Sequence, residues 1–158
     1  MERSTQSAGI LVYRKAPSGE PEVFLAHPGG PFFAKKDEGY WGIPKGLFDD
    51  DEEPKAAAYR EFREEIGRDA PTDGAFELTA IHRMDGKTIY AWAVEDKGDM
   101  AFVESNTCEI VWPPRSGQKL EIPEIDRAEW FSLADARAKI SKSQMPFLDE
   151  FERHLAAG

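Results

Sequence analysis

The stretch from Trp41 to Arg68, WGIPKGLFDDDEEPKAAAYREFREEIGR, constrains this chain more than any other. It reads as a tight loop, an acidic run and then a helix. Pro54 suits the first helical turn, where its missing N–H is no loss. The acids at 49–53 fall near the helix N-terminus, where negative charge is favoured. Gly67 suits the helix stop. Within the helix Glu61, Glu64 and Glu65 share one face, because positions i, i+3 and i+4 do. Ala58, Tyr59, Phe62 and Ile66 fall on a separate arc suited to packing on a sheet. Glutamates crowded on one face repel by roughly a few tenths of a kcal/mol per pair even when exposed. A cation removes that penalty, and hard divalent ions such as magnesium bind through oxygen ligands.

The flanking sequence predicts where a sheet would come from. Residues 7–13 form an apolar run, followed by turn signals over 16–21 and a second strand over 22–26, which together predict a hairpin. His27–Pro31 is expected to break that strand, with Gly29–Gly30 as a turn and not a phosphate-binding loop. Residues 32–40 show no period and read as a loop leading into the next stretch, with Phe32 and Phe33 either in the core, which is favoured, or lining a site. Residues 75–84 and 87–95 predict two strands around Asp85-Gly86, a hairpin dipeptide. Residues 107–112 predict a strand, and 113–123 a long irregular loop of the kind that is often functional. Residues 127–131 read as a last extended segment. Ser132 starts a helix through Leu133, Ala136 and Ile140. Pro146 opens a final one with Phe147, Leu148, Phe151 and Leu155 on one side. Strands on either side of a helix, then two helices, imply an α/β chain of the α+β type with one mixed sheet.

Composition narrows the class. A length of 158 residues fits a single domain with a sizeable core, and 41% apolar with 32% charged residues suits a globular protein. The net charge of −10 argues against a nucleic-acid polymer or an anionic membrane as partner. An acidic protein still binds phosphates where metal ions and a few local cations reverse the field. The single cysteine, Cys108, excludes an internal disulfide and reads as a buried apolar residue. No apolar run approaches membrane-spanning length, and MERSTQSAGILVY lacks a signal-peptide core, so a cytoplasmic location is expected. His27, His82 and His154 show no metal-ligand spacing and receive no role.

The same stretch matches a family pattern. Gly46, Glu52, Arg60, Glu61, Phe62, Glu64, Glu65 and Gly67 fit G-x5-E-x7-R-E-U-x-E-E-x-G-U, where U is bulky and apolar. Every fixed letter is present, and chance gives such a match in a chain this size less than about once in ten thousand. The chain resembles the Nudix hydrolase family. The one departure is Arg68 at the last U position, which bears on packing behind the helix end more than on chemistry.

The resemblance implies an α/β/α sandwich with a central mixed sheet and helices on both faces, spanning residues 1–158. It implies magnesium-dependent hydrolysis of a pyrophosphate linkage in a nucleoside diphosphate joined to another group, with manganese as an alternative ion. Glu61, Glu64 and Glu65 would supply the metal ligands, with the Gly46 carbonyl as a further one. Arg60 would pair with a box carboxylate, Glu52 first, and fix the helix against the loop. Lys45 would reach a bridging phosphate oxygen, or stand solvated. The general base would be Glu61, or a carboxylate outside the box such as Glu104, Glu121 or Glu124. The lead-in Trp41-Gly-Ile-Pro-Lys-Gly46 leans towards dinucleoside polyphosphate hydrolases. Arg115 and Lys119 are candidates to hold a terminal phosphate, and Trp112 and Tyr40 to stack on a base, each against an ordinary surface or packing role. The partner is a nucleotide-type small molecule, and the resemblance leaves monomer or homodimer open. Two further readings stay on the table. One is a Nudix-like module that senses a nucleotide without turnover. The other is an acidic structural domain with adventitious metal binding.

Overall fold

The first strand, β1 (Gln6–Lys15), is buried on both faces, as a central strand must be. Ala8, Ile10 and Val12 enter one core and Leu11 the other, with Tyr13 packed beside it. The computed structural model describes residues 5–158. Residues 1–4, part of the stretch read as lacking a signal peptide, lie outside the described residues. β2 (Pro21–Pro28) returns antiparallel to β1 as the predicted hairpin. β3 (Lys45–Leu47) pairs antiparallel with the start of β1, matching Ser7 with Leu47 and Gly9 with Lys45. β4 (Phe76–His82) and β5 (Thr88–Glu95) form the second predicted hairpin, and β5 runs parallel to β1 from Gln6↔Thr88 onward. β8 (Ile125–Ser132) closes the sheet against β2, giving the order β4-β5-β1-β2-β8.

Helices cover both faces of this mixed sheet. α1 (Pro54–Ile66) buries Ala57, Ala58, Phe62 and Ile66 against Ile10, Val12 and Phe24. α2 (Leu133–Lys139) and α3 (Met145–Ala157) bury Ala136, Phe147, Leu148 and Phe151 against Leu11, Leu25 and Ile89 on the other face. The helix signals act as read. Pro54 sits in the first turn of α1, and Gly67 ends it in the left-handed region at φ 87°. The Ser132 hydroxyl accepts from the Asp135 N–H at the start of α2. Arg68, at the departing box position, turns outward and donates to the Asp99 carbonyl and carboxylate. No helix among the described residues is long and apolar enough to cross a membrane.

Four expectations need correction. β2 continues through His27 to Pro28, where a register shift admits the proline. The stretch 113–123 is not irregular throughout: β7 (Lys119–Pro123) pairs antiparallel with β6 (Thr107–Val111) in a separate two-stranded ribbon. Leu120 and Ile122 alternate with Lys119 and Glu121 as a strand does, but flanking prolines and the absence of a buried face mask the signal. Phe32 and Phe33 are not core: Phe32 is 58% exposed, and Phe33 is half-buried and meets it edge-on at 4.8 Å. Cys108 lies in a strand as read but is only half-buried.

His27 has a structural task that spacing alone does not suggest. Its ring is fully buried, with Nδ1 2.8 Å from Asp126 Oδ1 and Nε2 2.6 Å from the Lys36 carbonyl. It thereby ties the 32–40 loop to the start of β8. Gly29 donates to the Glu124 carbonyl at 2.9 Å, and a Cβ at Gly29 would collide with the Pro123 carbonyl at the end of β7. These contacts fix the backbone at Glu124, which matters for the cleft described next.

Candidate active site

Three local decisions bring the glutamates of α1 to a cleft. The apolar arc of α1 docks on the sheet, so the opposite arc turns to the start of β1. Gly9 lets the Pro44–Lys45 segment lie against β1, since a Cβ there would meet the Pro44 carbonyl and, at 2.6 Å, the Lys45 Cβ. The Ile10 N–H then donates to the Pro44 carbonyl at 3.2 Å. Gly46 sits directly under the Glu61 carboxylate, leaving no room for a Cβ. The box glycine is therefore required for close approach, and not for its backbone freedom.

The resulting cleft, of about 410 Å³, is lined by Glu61, Glu64, Glu65 and Glu124 together with Lys45, Arg83, Lys87 and Asn106. Glu61 and Glu65 are buried, and Glu64 is half-exposed. The Lys45 backbone N–H donates to Glu65 Oε2 at 3.2 Å, orienting that carboxylate. Burial, then the negative fields of Glu124 and Glu61, push the Glu65 carboxyl up to about 8. Burial also raises Glu61, against the opposing pull of Arg60. Glu124 is raised by burial and by Glu64. Lys45 is lowered chiefly by burial, partly offset by Glu65.

Arg60 organises the carboxylates. Its Nε and Nη2 donate to both Glu52 carboxylate oxygens at 2.7 and 2.8 Å, a two-pronged clamp between helix and loop. Its Nη1 donates to Glu61 Oε1 at 2.8 Å and to Glu64 at 3.1 and 3.2 Å. The guanidinium is thus held well above its ordinary value, with Glu52 as the first cause. Among the described residues no three carboxylate, imidazole or thiol groups already converge as a cation cage. The donor set nonetheless suits a hard divalent ion. Carboxylate oxygens crowd a buried site strongly enough to drive one of them towards the neutral form, and the protein supplies one shared guanidinium for two of them. A cation would draw Glu61 and Glu64 from Arg60 Nη1, while Glu52 keeps Arg60 in place.

The remaining sequence candidates divide. Glu124 reaches the cleft. Glu104 lies past the end of α1, its N–H on the Ile66 carbonyl, and Glu121 faces Glu109 across the β6–β7 ribbon. Arg115 is exposed in the loop of that ribbon at φ 65°, and Lys119 pairs with Glu109 at 3.5 Å. Trp112 is half-buried at the ribbon end, and Tyr40 is 40% exposed beside Phe33. None of these four lines the cleft. Arg83 and Lys87 do, and sequence reading passed over them. The available signal was a cation on each side of the Asp85-Gly86 turn.

Substituting Gly46 with Ala is expected to leave the protein folded, because the obstructing atoms are the tip of a flexible side chain. The Glu61 carboxylate must then move, and any activity that depends on its placement should fall by about 50-fold. Steady-state rates beside a thermal melt check this.

A family model for the NUDIX domain matches residues 3–151. Comparison of the sequence with curated proteins finds no match. Among solved structures, a Caenorhabditis elegans Ap4A hydrolase binary complex is similar at TM-score 0.64 and 21% identity, covering 96% of this chain and 99% of that one. The NUDIX domain of Shewanella oneidensis NrtR, cocrystallised with ADP ribose, gives 0.63 and 13%, covering 98% and 90%. The Mycobacterium smegmatis Nudix hydrolase RenU gives 0.62 and 17%, covering 99% and 90%. At these identities the structural likeness speaks to the fold.

Proposed function

The chain belongs to the Nudix hydrolase family, and we propose that it hydrolyses a pyrophosphate linkage in a nucleoside diphosphate joined to another group, using a divalent ion held by Glu61, Glu64, Glu65 and the Gly46 carbonyl. The observation that carries this reading is geometric: Glu61, Glu64 and Glu65 of α1 line one cleft with Gly46 and Glu124, and the Glu61 carboxylate lies directly against Gly46. Magnesium, or manganese in its place, supplies charge neutralisation at the phosphates and a more acidic attacking water.

The chain's own residues do the rest. The Lys45 N–H orients Glu65, and the Lys45 ammonium, lining the same cleft, meets a bridging phosphate oxygen. Arg60 with Glu52 anchors α1 against the loop, keeping the glutamates over Gly46. Glu124 takes the proton from the attacking water. Burial and the Glu64 carboxylate raise its carboxyl, the direction that makes it a stronger base, and Glu61 is assigned to the ion. Products are a nucleoside monophosphate and a phosphorylated partner. The acidic surface and single cysteine fit a cytoplasmic enzyme.

The C. elegans Ap4A hydrolase and the ADP-ribose-bound NrtR domain share the fold, and the Ap4A of the one name and the ADP ribose of the other suggest a test panel. Dinucleoside polyphosphates, ADP-ribose, nucleotide sugars and oxidised nucleotides would be offered with magnesium, with manganese and with EDTA, and products identified. Metal-dependent release of a nucleoside monophosphate is the expected result. Nucleotide binding with no turnover in either metal would instead identify a sensing module.

A further inference from the structure

We propose that Ser105 is a positioning residue for the hydrolysis, whose hydroxyl fastens the foot of the β6–β7 ribbon and so holds Glu124 at the cleft. The inference rests on the reading of Glu124 as the base and adds what places it there.

The need for such a fastening follows from topology. β6 and β7 form their own two-stranded sheet, and β8 belongs to the main one. Glu124 is the single residue between Pro123, which ends β7, and Ile125, which begins β8. Asn106 stands just before β6, so both residues sit at the foot of the ribbon, below its last pair, Thr107↔Pro123. Both also line the cleft with Glu64. The pairing of β8 with β2 begins at Ile125↔Pro28, beside a register shift, so it does not reach Glu124. The Gly29 N–H holds the Glu124 carbonyl, and the rest of the placement falls to the foot.

Hydrogen bonds there do the placing. The Asn106 N–H donates to the Glu64 carbonyl at 2.8 Å, and the Asn106 carbonyl accepts from the Glu124 N–H at 3.0 Å. One residue thus spans from the helix that carries the glutamates to the backbone of the base. Ser105 locks that span. Its hydroxyl lies 2.8 Å from the Asn106 carbonyl and 3.0 Å from the Ile125 carbonyl, sharing its proton between them. Its oxygen accepts from the Ile125 N–H at 3.1 Å. A hydroxyl donates and accepts at once, whereas a methyl group does neither. The Val103 and Glu104 N–H groups both meet the Ile66 carbonyl, which ties the approach to Ser105 to the end of α1. Without the hydroxyl that approach stays on α1, while Glu124 and Ile125 lose their clasp to it. A misplacement of about 1 Å costs on the order of 100-fold in rate.

The test compares wild type, S105A, S105T, E124Q and S105A/E124Q on ADP-ribose and a dinucleoside tetraphosphate in magnesium. It adds amide hydrogen exchange in EDTA. S105A should lower kcat about tenfold or more with KM within about twofold, and S105T should restore most of the rate. E124Q should lose about 100-fold. The double variant should fall no more than about twofold below E124Q, because Ser105 acts through Glu124. In S105A the Glu124 and Ile125 amides should exchange about tenfold faster, with those of α1 unchanged. Wild-type kcat in S105A, losses that multiply in the double variant, or unchanged exchange would each overturn the proposal. Should S105A melt early, S105C keeps the volume, weakens the hydrogen bonds and should give the same pattern; wild-type kcat in S105C would overturn the proposal too. E124Q at the wild-type rate would remove the base reading and the proposal with it. Failure of the hydrolase reading looks different: even wild type turns over neither substrate, and the exchange arm still reports on the clasp.

Discussion

Replacing Glu64 with Gln is expected to lower kcat by about a thousandfold while the protein folds normally. Glu64 is the least buried of the box glutamates, with 40% of its side chain exposed, so an isosteric amide disturbs little packing. Among the described residues its carboxylate bonds only to Arg60 Nη1, and Arg60 keeps Glu61 and Glu52 as partners. The thermal midpoint should therefore move by no more than a few degrees. Activity is another matter. In the proposed mechanism Glu64 is a charged ligand, and its loss would weaken the hold on an ion that contributes several kcal/mol, on the order seen for metal-assisted steps, to the transition state. A second readout separates chemistry from structure. Glu64 is one of the causes that raise Glu124. Removing its charge should shift the acid limb of residual activity to lower pH. An acidic domain with adventitious metal binding would show neither change, and unaltered activity in this variant would favour it.

The metal-free protein should lose stability as pH rises from about 5 to 8, opposite to the usual behaviour of carboxylates. Glu65 has a folded value of about 8 against an ordinary value of 4.5. Between these values the folded state holds a proton that the unfolded state has released, so the unfolding free energy falls with pH. Glu61 and Glu124 are raised as well and act in the same direction. The lowered carboxylates Asp37, Glu52 and Asp99 are ionised in both states above pH 5 and add no slope in this range. The net loss should be on the order of a few kcal/mol, or roughly 5–10 °C in melting temperature. Melts in EDTA from pH 5.5 to 8.5 measure it. Magnesium should restore more at pH 8.5 than at 5.5, because at low pH the ion must displace a proton from Glu65. Glu65→Gln should flatten the profile in EDTA. A wild-type profile already flat would mean that Glu65 is not held in surplus negative charge.

Most of the frame was legible because the relevant signals are local. The periodicity of Ala58, Phe62 and Ile66 against Glu61, Glu64 and Glu65 gave both the docking face and the cleft face of α1. Asp85-Gly86 marked its hairpin, Ser132 its helix start and Gly67 its helix stop. What escaped was of two kinds. Some signals were weakened by context, such as Leu120 and Ile122 in a ribbon with no buried face. Others depend on pairing between distant strands, which no local pattern carries. The parallel β1–β5 register is what brings Arg83 and Lys87 beside Gly46, and β8 is what brings Glu124 beside Glu64. Arg115, Lys119, Trp112 and Tyr40 looked attractive as cations and aromatics in loops. Their loops lead away from the cleft.

Crystals soaked in manganese, with the anomalous signal located, address the central claim most directly. The account predicts a peak within about 2.5 Å of carboxylate oxygens from Glu61, Glu64 and Glu65, with the Gly46 carbonyl nearby and Arg60 retained on Glu52. Absence of ordered metal at saturating concentration, with Glu61 and Glu64 still on Arg60 and Glu65 still on the Lys45 N–H, would contradict it.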